Sequence, residues 1–242
     1  VAQDDGEVTG GGVVGLIHGA PARAALARGL ATCHDRARSI PTEGTAMALA
    51  TPPVQDNAYA AALALLDRAP LIDGHNDLPY VIRLDRTAKG DVGLYDLTKI
   101  HEKGDTDIPR MQAGKLAAQF FAAYVPPKQR NPAGFALAQI ALMRDILKRH
   151  ADVFRPGLSA ADVLAAKAEG RIALFMTIEN GTALDGELDA LDAYFDLGIR
   201  LMTLCHNDSH DWCDSATDAP RNNGLSAFGK QVIGRMNTLG MV

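Results

Sequence analysis

Ile172-Ala173-Leu174-Phe175-Met176-Thr177-Ile178 is an almost unbroken apolar run, and an acid, Glu179, follows it directly. A strand with one face in water alternates apolar and polar residues. This run does not, so it is predicted to be buried on both faces, as a parallel strand flanked by helices is. Leu71–His75, Ala117–Val125 and Ile199–Cys205 read the same way, the second closed by Pro126-Pro127. Helical stretches separate them. Ala58–Ala69 is rich in Ala and Leu and ends at Pro70. Phe135–Arg149 carries Phe135, Leu142, Met143, Ile146 and Leu147 at helical spacing. Ser159 is a suitable N-cap for a helix through Glu169, and Gly170 a suitable C-cap. Glu187–Leu197 ends at Gly198, Ser226–Leu239 ends at Gly240, and Met241-Val242 reads as the first step of another strand.

Alternating strand and helix predicts an α/β fold of the (β/α)8 TIM-barrel type. About four strand–helix units and the start of a fifth are visible, whereas a closed barrel takes ~250 residues. Residues 57–242 are therefore expected to form about the first half of a barrel, cut at the start of strand 5. Residues 1–56 hold Gly-rich and Ala/Arg-rich stretches with little periodicity. They read as an extension, poorly ordered or not native, with Met47 as the expected true start. Val1 in place of Met, and the apolar end at Met241-Val242, fit a piece of a longer reading frame.

Composition narrows the function. The net charge of −5 over 242 residues argues against a nucleic-acid partner, which needs a basic face. No apolar run approaches the ~20 residues that span a bilayer. No charged, then apolar, then small-residue leader is visible, which favours a cytoplasmic location. Three cysteines, Cys33, Cys205 and Cys213, make no disulfide framework. Gly10–Gly15 matches G-x-G-x-x-G, but no strand precedes it, so the match is read as chance. His18, His34, His101 and His150 have no partners at metal spacing and are read as surface residues.

The polar residues that remain stand at the C-terminal ends of strands, where parallel barrels carry their active sites. His75-x-Asp77 closes the first strand, Glu179 the third and His206 the fourth. In an extended chain residues i and i+2 share a side, so His75 and Asp77 can reach one metal ion; imidazole and carboxylate suit Zn²⁺. Glu179 has two oxygens and can bridge two metals, an arrangement that activates water. Cys205, His206, His210 and Cys213 fall within nine residues but lack the paired spacing of a structural zinc site.

Ile72-Asp73-Gly74-His75-Asn76-Asp77-Leu78-Pro79 resembles the first metal motif of the membrane (renal) dipeptidase family, peptidase family M19. Thr106–Gly114 with Ala118-Gln119-Phe120-Phe121 resembles that family's second block. Ile178-Glu179-Asn180-Gly181 resembles its I-E-G-G block, with Asn180 in place of the first Gly. Leu197–His206 with Trp212, and Asn223–Gly229, resemble the next two. The resemblance covers about residues 57–242 with the blocks in order. It implies a zinc-dependent metallo-dipeptidase with two zinc ions in the full-length parent: His75 and Asp77 as ligands of the first, Glu179 as the bridging ligand, and His206 steadying the tetrahedral intermediate. Two further His ligands and a catalytic Asp belong beyond the fifth strand. This chain would then hold at most one well-formed zinc site and be inactive alone. A dipeptide is the implied partner, and a second copy of the chain is a candidate one. The rivals are a cyclic amidase or deaminase of the amidohydrolase type, which usually begins with H-x-H, and a non-catalytic degenerate homologue.

Overall fold

The computed structural model describes residues 57–242. The expectations for residues 1–56, including Met47, the Gly10–Gly15 match, His18, His34 and Cys33, lie outside the described residues. Helix α1 spans Asn57–Arg68 and leads through Pro70 into β1, Leu71–Asn76. Then come α2 (Leu78–Leu84), α3 (Ile108–Ala113), β2 (Leu116–Tyr124) and α4 (Pro132–Arg149). The chain continues through β3 (Phe154–Pro156), α5 (Ala160–Ala168), β4 (Ile172–Glu179), a 3-10 turn at Gly181–Leu184, α6 (Ala190–Asp196), β5 (Ile199–Thr203) and α7 (Ala227–Leu239). No described helix is long and apolar enough to cross a membrane.

All strand pairs are parallel, in the order β1-β2-β4, with β3 and β5 both on the remaining edge of β4. The three-residue β3 takes the start of that edge (Phe154 beside Ile172), and β5 takes its end (Thr203 beside Glu179). The strands expected from sequence are thus the ones that follow one another around the sheet, and β3 is an addition to them. Beyond β5, Val242 N–H donates to Arg200 O at 2.9 Å and Met202 N–H to Val242 O at 2.8 Å, so the last residue already pairs as the next parallel strand would. The fold is the α/β barrel type, present as about its first half.

Chain chemistry explains the element ends. Pro in the first turn, where an N–H has no helical partner, starts α2, α3 and α4. Asp107 and Asn131 cap α3 and α4, accepting from Arg110 N at 2.9 Å and Gly134 N at 3.0 Å. Ser226 caps α7, and Gly240 ends it in the left-handed conformation, φ 73°. At α5, Asp162 accepts the Ser159 N–H at 2.9 Å.

The core sits on both faces of the sheet, and β4 is buried at every position, as its apolar run requires. Ile140, Met143 and Ile146 of α4 pack with Phe121, Leu174 and Ile178 on one face. Val163 and Ala166 of α5 cover Ala117, Ala118, Ala173 and Phe175 on the other. There Phe120 and Phe175 stack at 4.5 Å, worth about 1 kcal/mol beyond area burial. On this second face the covered positions lie toward the starts of β2 and β4, which leaves room for polar groups near their C-terminal ends. One expectation fails: β1 is apolar but not buried, with Leu71 40% and Ile72 48% exposed. It lies at the margin of the sheet, paired to β2 alone among the described strands. Apolar composition reports what a strand could bury, not whether a neighbour is present.

Candidate metal centre

Parallel pairing aligns the C-terminal ends of β2, β4 and β5, with Glu179 in register with both Tyr124 and Thr203. The end of β1 follows them, with Asn76 beside Phe121. The turn after β1 is fixed by Asn76, whose Oδ1 accepts the Leu78 N–H at 2.9 Å and whose Nδ2 donates to Thr106 Oγ1 at 2.7 Å. Thr106 in turn is anchored by its neighbour Asp107. That fully buried carboxylate accepts from Arg110 Nε at 2.8 Å and from the His101 N–H at 3.2 Å. The Thr106–Gly114 block therefore supports the segment that presents His75 and Asp77.

His75, Asp77 and Glu179 each offer one ligand atom, and the three atoms lie within 4.8 Å of one another. Among the described residues this is the cluster of metal-ligating groups. His75 Nε2 is 3.6 Å from Asp77 Oδ1 and 3.2 Å from Glu179 Oε2. The latter approach is close but not aligned as a hydrogen bond, so Oε2 is a buried oxygen with no hydrogen-bond partner. Glu179 Oε1 lies 3.0 Å from His206 Nε2. Burial pushes the Glu179 carboxyl above the usual carboxylate range, and the charge of Asp77 pushes the same way. Two carboxylates held together with one orphaned oxygen and a nearby imidazole make a costly arrangement without a cation. One nitrogen and two oxygen donors suit a borderline divalent ion such as zinc, so these residues fit the metal that the first motif implies.

Beside the cluster stand aromatic groups that pattern reading missed. The Tyr124 ring meets His206 edge-on at 5.1 Å, and Tyr80 meets Tyr124 at 5.1 Å. Burial, and then the charge of Glu179, raise the Tyr124 hydroxyl pKa. The place of Tyr124 one residue before the Val125-Pro126 strand end was the available signal. His101, read as surface, is half-buried: it stacks on Tyr95 at 4.1 Å, and its Nε2 lies 3.0 Å from Asp96 O. His150 is half-buried too, at the end of α4. His210 lies 4.8 Å from the Trp212 ring with Nε2 2.9 Å from Leu204 O, a packing position rather than a ligand one.

The residues after Glu179 set its direction. Asn180 has φ 85°, the region that favours glycine, and this is the physical reason a Gly suits the first position of that block. Asn tolerates it because its side chain binds locally: Nδ2 donates to Val125 O at 2.9 Å, and Oδ1 accepts the Thr182 N–H at 3.2 Å. Gly181 leaves no room for a side chain. A Cβ there would meet the Trp212 ring and come within 2.6 Å of Leu204 O. Gly181→Ala is therefore expected to cost about 2 kcal/mol by overpacking and to lower Tm by roughly 4–8 °C, read by calorimetry.

A family model described as Membrane dipeptidase (Peptidase family M19) matches residues 59–242. The chain belongs to the membrane dipeptidase family. Among members of this family, Dipeptidase 3 of Rattus norvegicus is 34% identical over 189 residues, covering 75% of this chain and 37% of the relative. Dipeptidase ataJ of Aspergillus terreus is 35% identical over 198 residues, covering 75% and 46%. The chain thus spans less than half the length of these dipeptidase relatives. A metallo peptidase from Rhodobacter sphaeroides, solved with a phosphinate mimic of the dipeptide L-Ala-D-Ala, shares the fold at TM-score 0.59 and 22% identity, covering 70% of this chain and 56% of that one.

The loop after β5 is held by Asp214. Its carboxylate accepts the N–H groups of Arg221 at 2.8 Å, Asn222 at 3.0 Å and Gly224 at 2.9 Å. These bonds, that from Gly224 first, hold the carboxyl at about 2. A depressed folded pKa gives stability that is present above the unfolded value of 3.8 and lost as pH falls through about 2. Trp212, the single tryptophan, is expected to report a step in fluorescence between these values, and Asp214→Asn to lack it.

Proposed function

We propose that the protein of which this chain is part hydrolyses dipeptides with two zinc ions, and that residues 57–242 supply the half of the barrel carrying the first metal and the bridging acid. The single observation that carries this reading is the convergence of His75, Asp77 and Glu179 within 4.8 Å at aligned strand ends. His75 and Asp77 would hold the first ion and Glu179 would bridge. Zinc, when bound, supplies Lewis acidity and lowers the pKa of water.

Further roles fall to this chain's own residues. His206, with Nε2 3.0 Å from Glu179 Oε1, donates a hydrogen bond to the peptide oxygen as negative charge develops on it. Tyr124 backs the His206 ring from its edge. Glu179 is held rigid by strand pairing on both sides. The dipeptide substrate accords with the relatives named dipeptidases and with the dipeptide mimic in the Rhodobacter enzyme. We propose further that the 242-residue chain alone is inactive, since it covers 37–46% of those relatives.

The test compares two proteins: this chain, and a chain extended to the relatives' length. The extended protein is expected to bind two zinc ions and release amino acids from dipeptides; this chain is expected to bind fewer and to release none. Turnover of a cyclic amide or of a nucleobase by the extended protein, with dipeptides untouched, would move the assignment to the amidohydrolase rivals. An extended protein that binds no zinc would be the degenerate homologue.

A further inference from the structure

Two thiols stand in the first half of the loop after β5. Cys205 follows Thr203-Leu204 at the end of β5, and Cys213 pairs through its backbone with Leu225. Both are free thiols that donate to one acceptor, the Asp214 carbonyl oxygen, from 3.3 Å (Cys205 Sγ) and 3.7 Å (Cys213 Sγ). Sharing that acceptor keeps the two sulfurs within about 7 Å of each other. A carbonyl shared by two weak donors gives little reason for two thiols to meet, and the cluster of metal-ligating groups does not include them. We infer that Cys205 and Cys213 form an oxidisable dithiol site, whose co-reactant is a small disulfide and whose product is an intrachain disulfide closing the loop that carries His206.

The two cysteines have different surroundings, which sets the order of events. Cys213 is buried, 6% exposed, while Cys205 is half-buried. Burial first, then the neighbouring Cys205, push the Cys213 thiol up to about 12, so Cys213 is a poor first nucleophile. Cys205 loses its proton and attacks one sulfur of the small disulfide. That S–S bond breaks, one small thiolate leaves, and a mixed disulfide forms at Cys205. Cys213 then loses its proton and attacks the Cys205 sulfur, expelling the second small thiolate. Both leaving thiolates take up the protons released. Two protein thiols are oxidised, and one small disulfide is reduced to two thiols. Neutralising Cys205 removes one of the causes that raise Cys213, so the first step favours the second.

The closed loop has His206 next to one sulfur and Trp212 next to the other. Trp212 packs against Gly181, two residues from Glu179, and the His206 carbonyl accepts from Ser215 Oγ at 2.7 Å. Oxidation would thus fix the segment that faces the metal cluster.

The test uses the 242-residue chain with Cys33→Ser, so that the remaining thiols are Cys205 and Cys213. Incubation with excess oxidised glutathione, acid quench and peptide mapping are expected to show a Cys205–Cys213 cross-linked peptide, with both thiols lost to titration in denaturant and recovered with a reductant. Cys213→Ser in the same background is expected to stop at a glutathione adduct on Cys205. Thiols that stay titratable, an adduct on Cys205 without cross-linking in the Cys33→Ser chain, or cross-links only between chains would overturn the inference. The readout is chemical and independent of zinc or turnover, so it stands or falls apart from the dipeptidase reading.

Discussion

Glu179→Gln is expected to lower the zinc affinity of this chain at least about 100-fold, or about 2.7 kcal/mol, while leaving the metal-free fold as stable as before or more so. The two effects have one origin. Glu179, itself 8% exposed, brings a charged oxygen without a hydrogen-bond partner next to the Asp77 carboxylate. With a cation present, that charge is the attraction; without one, it is a burden that raises the carboxyl pKa. The amide keeps the shape and removes the charge, so it takes away metal affinity and relieves the empty site at once. Zinc titration by calorimetry and thermal melts in chelator read the two halves separately. A Gln variant that binds zinc like the parent chain would remove Glu179 from the ligand set. One that loses zinc and also melts far lower without metal would mark Glu179 as a structural acid.

His206→Ala, made in the protein extended to the relatives' length, is expected to lower kcat roughly 100-fold, about 3 kcal/mol, with a smaller change in KM. The reasoning is geometric. The imidazole stands 3.0 Å from Glu179 and edge-on to Tyr124 at 5.1 Å, beside the cluster rather than within it. A group there can meet charge that develops on the substrate without sharing in metal retention. Zinc content should therefore stay that of the parent while turnover falls. A loss of zinc together with turnover would make His206 a ligand, and an unchanged kcat would leave it a packing residue.

Much of this arrangement could be read from the residues because parallel strands buried on two faces are apolar throughout and end in the polar groups the site needs. Ile172–Ile178 with Glu179 is the clearest case. What could not be read has physical reasons. Phe154–Pro156 is too short for any periodicity. The helices Leu78–Leu84 and Ile108–Ala113 are only seven and six residues long, though Pro79 and Pro109 in their first turns were usable signals. The segment between them, where Asp107 is fully buried and His101 stacks on Tyr95, has no regular pattern because side chains and isolated turns rather than a ladder satisfy its backbone. Burial of β1 was overestimated because a sequence shows the apolar side chains of a strand but not its neighbours. Tyr124 went unnoticed because its place at the rim comes from register with Glu179, a relation between strands that no single run displays.

That register has a further consequence. The proposed ligand atoms come from His75 in β1, Asp77 just after it and Glu179 in β4, and β2 lies between the two strands. Nothing local can assemble such a site; it exists only when strands distant in the chain have found their order. Ion occupancy is then a gauge of long-range folding, and a chelator should behave toward this chain as a mild denaturant, shifting the balance toward collapsed forms whose topology is incomplete.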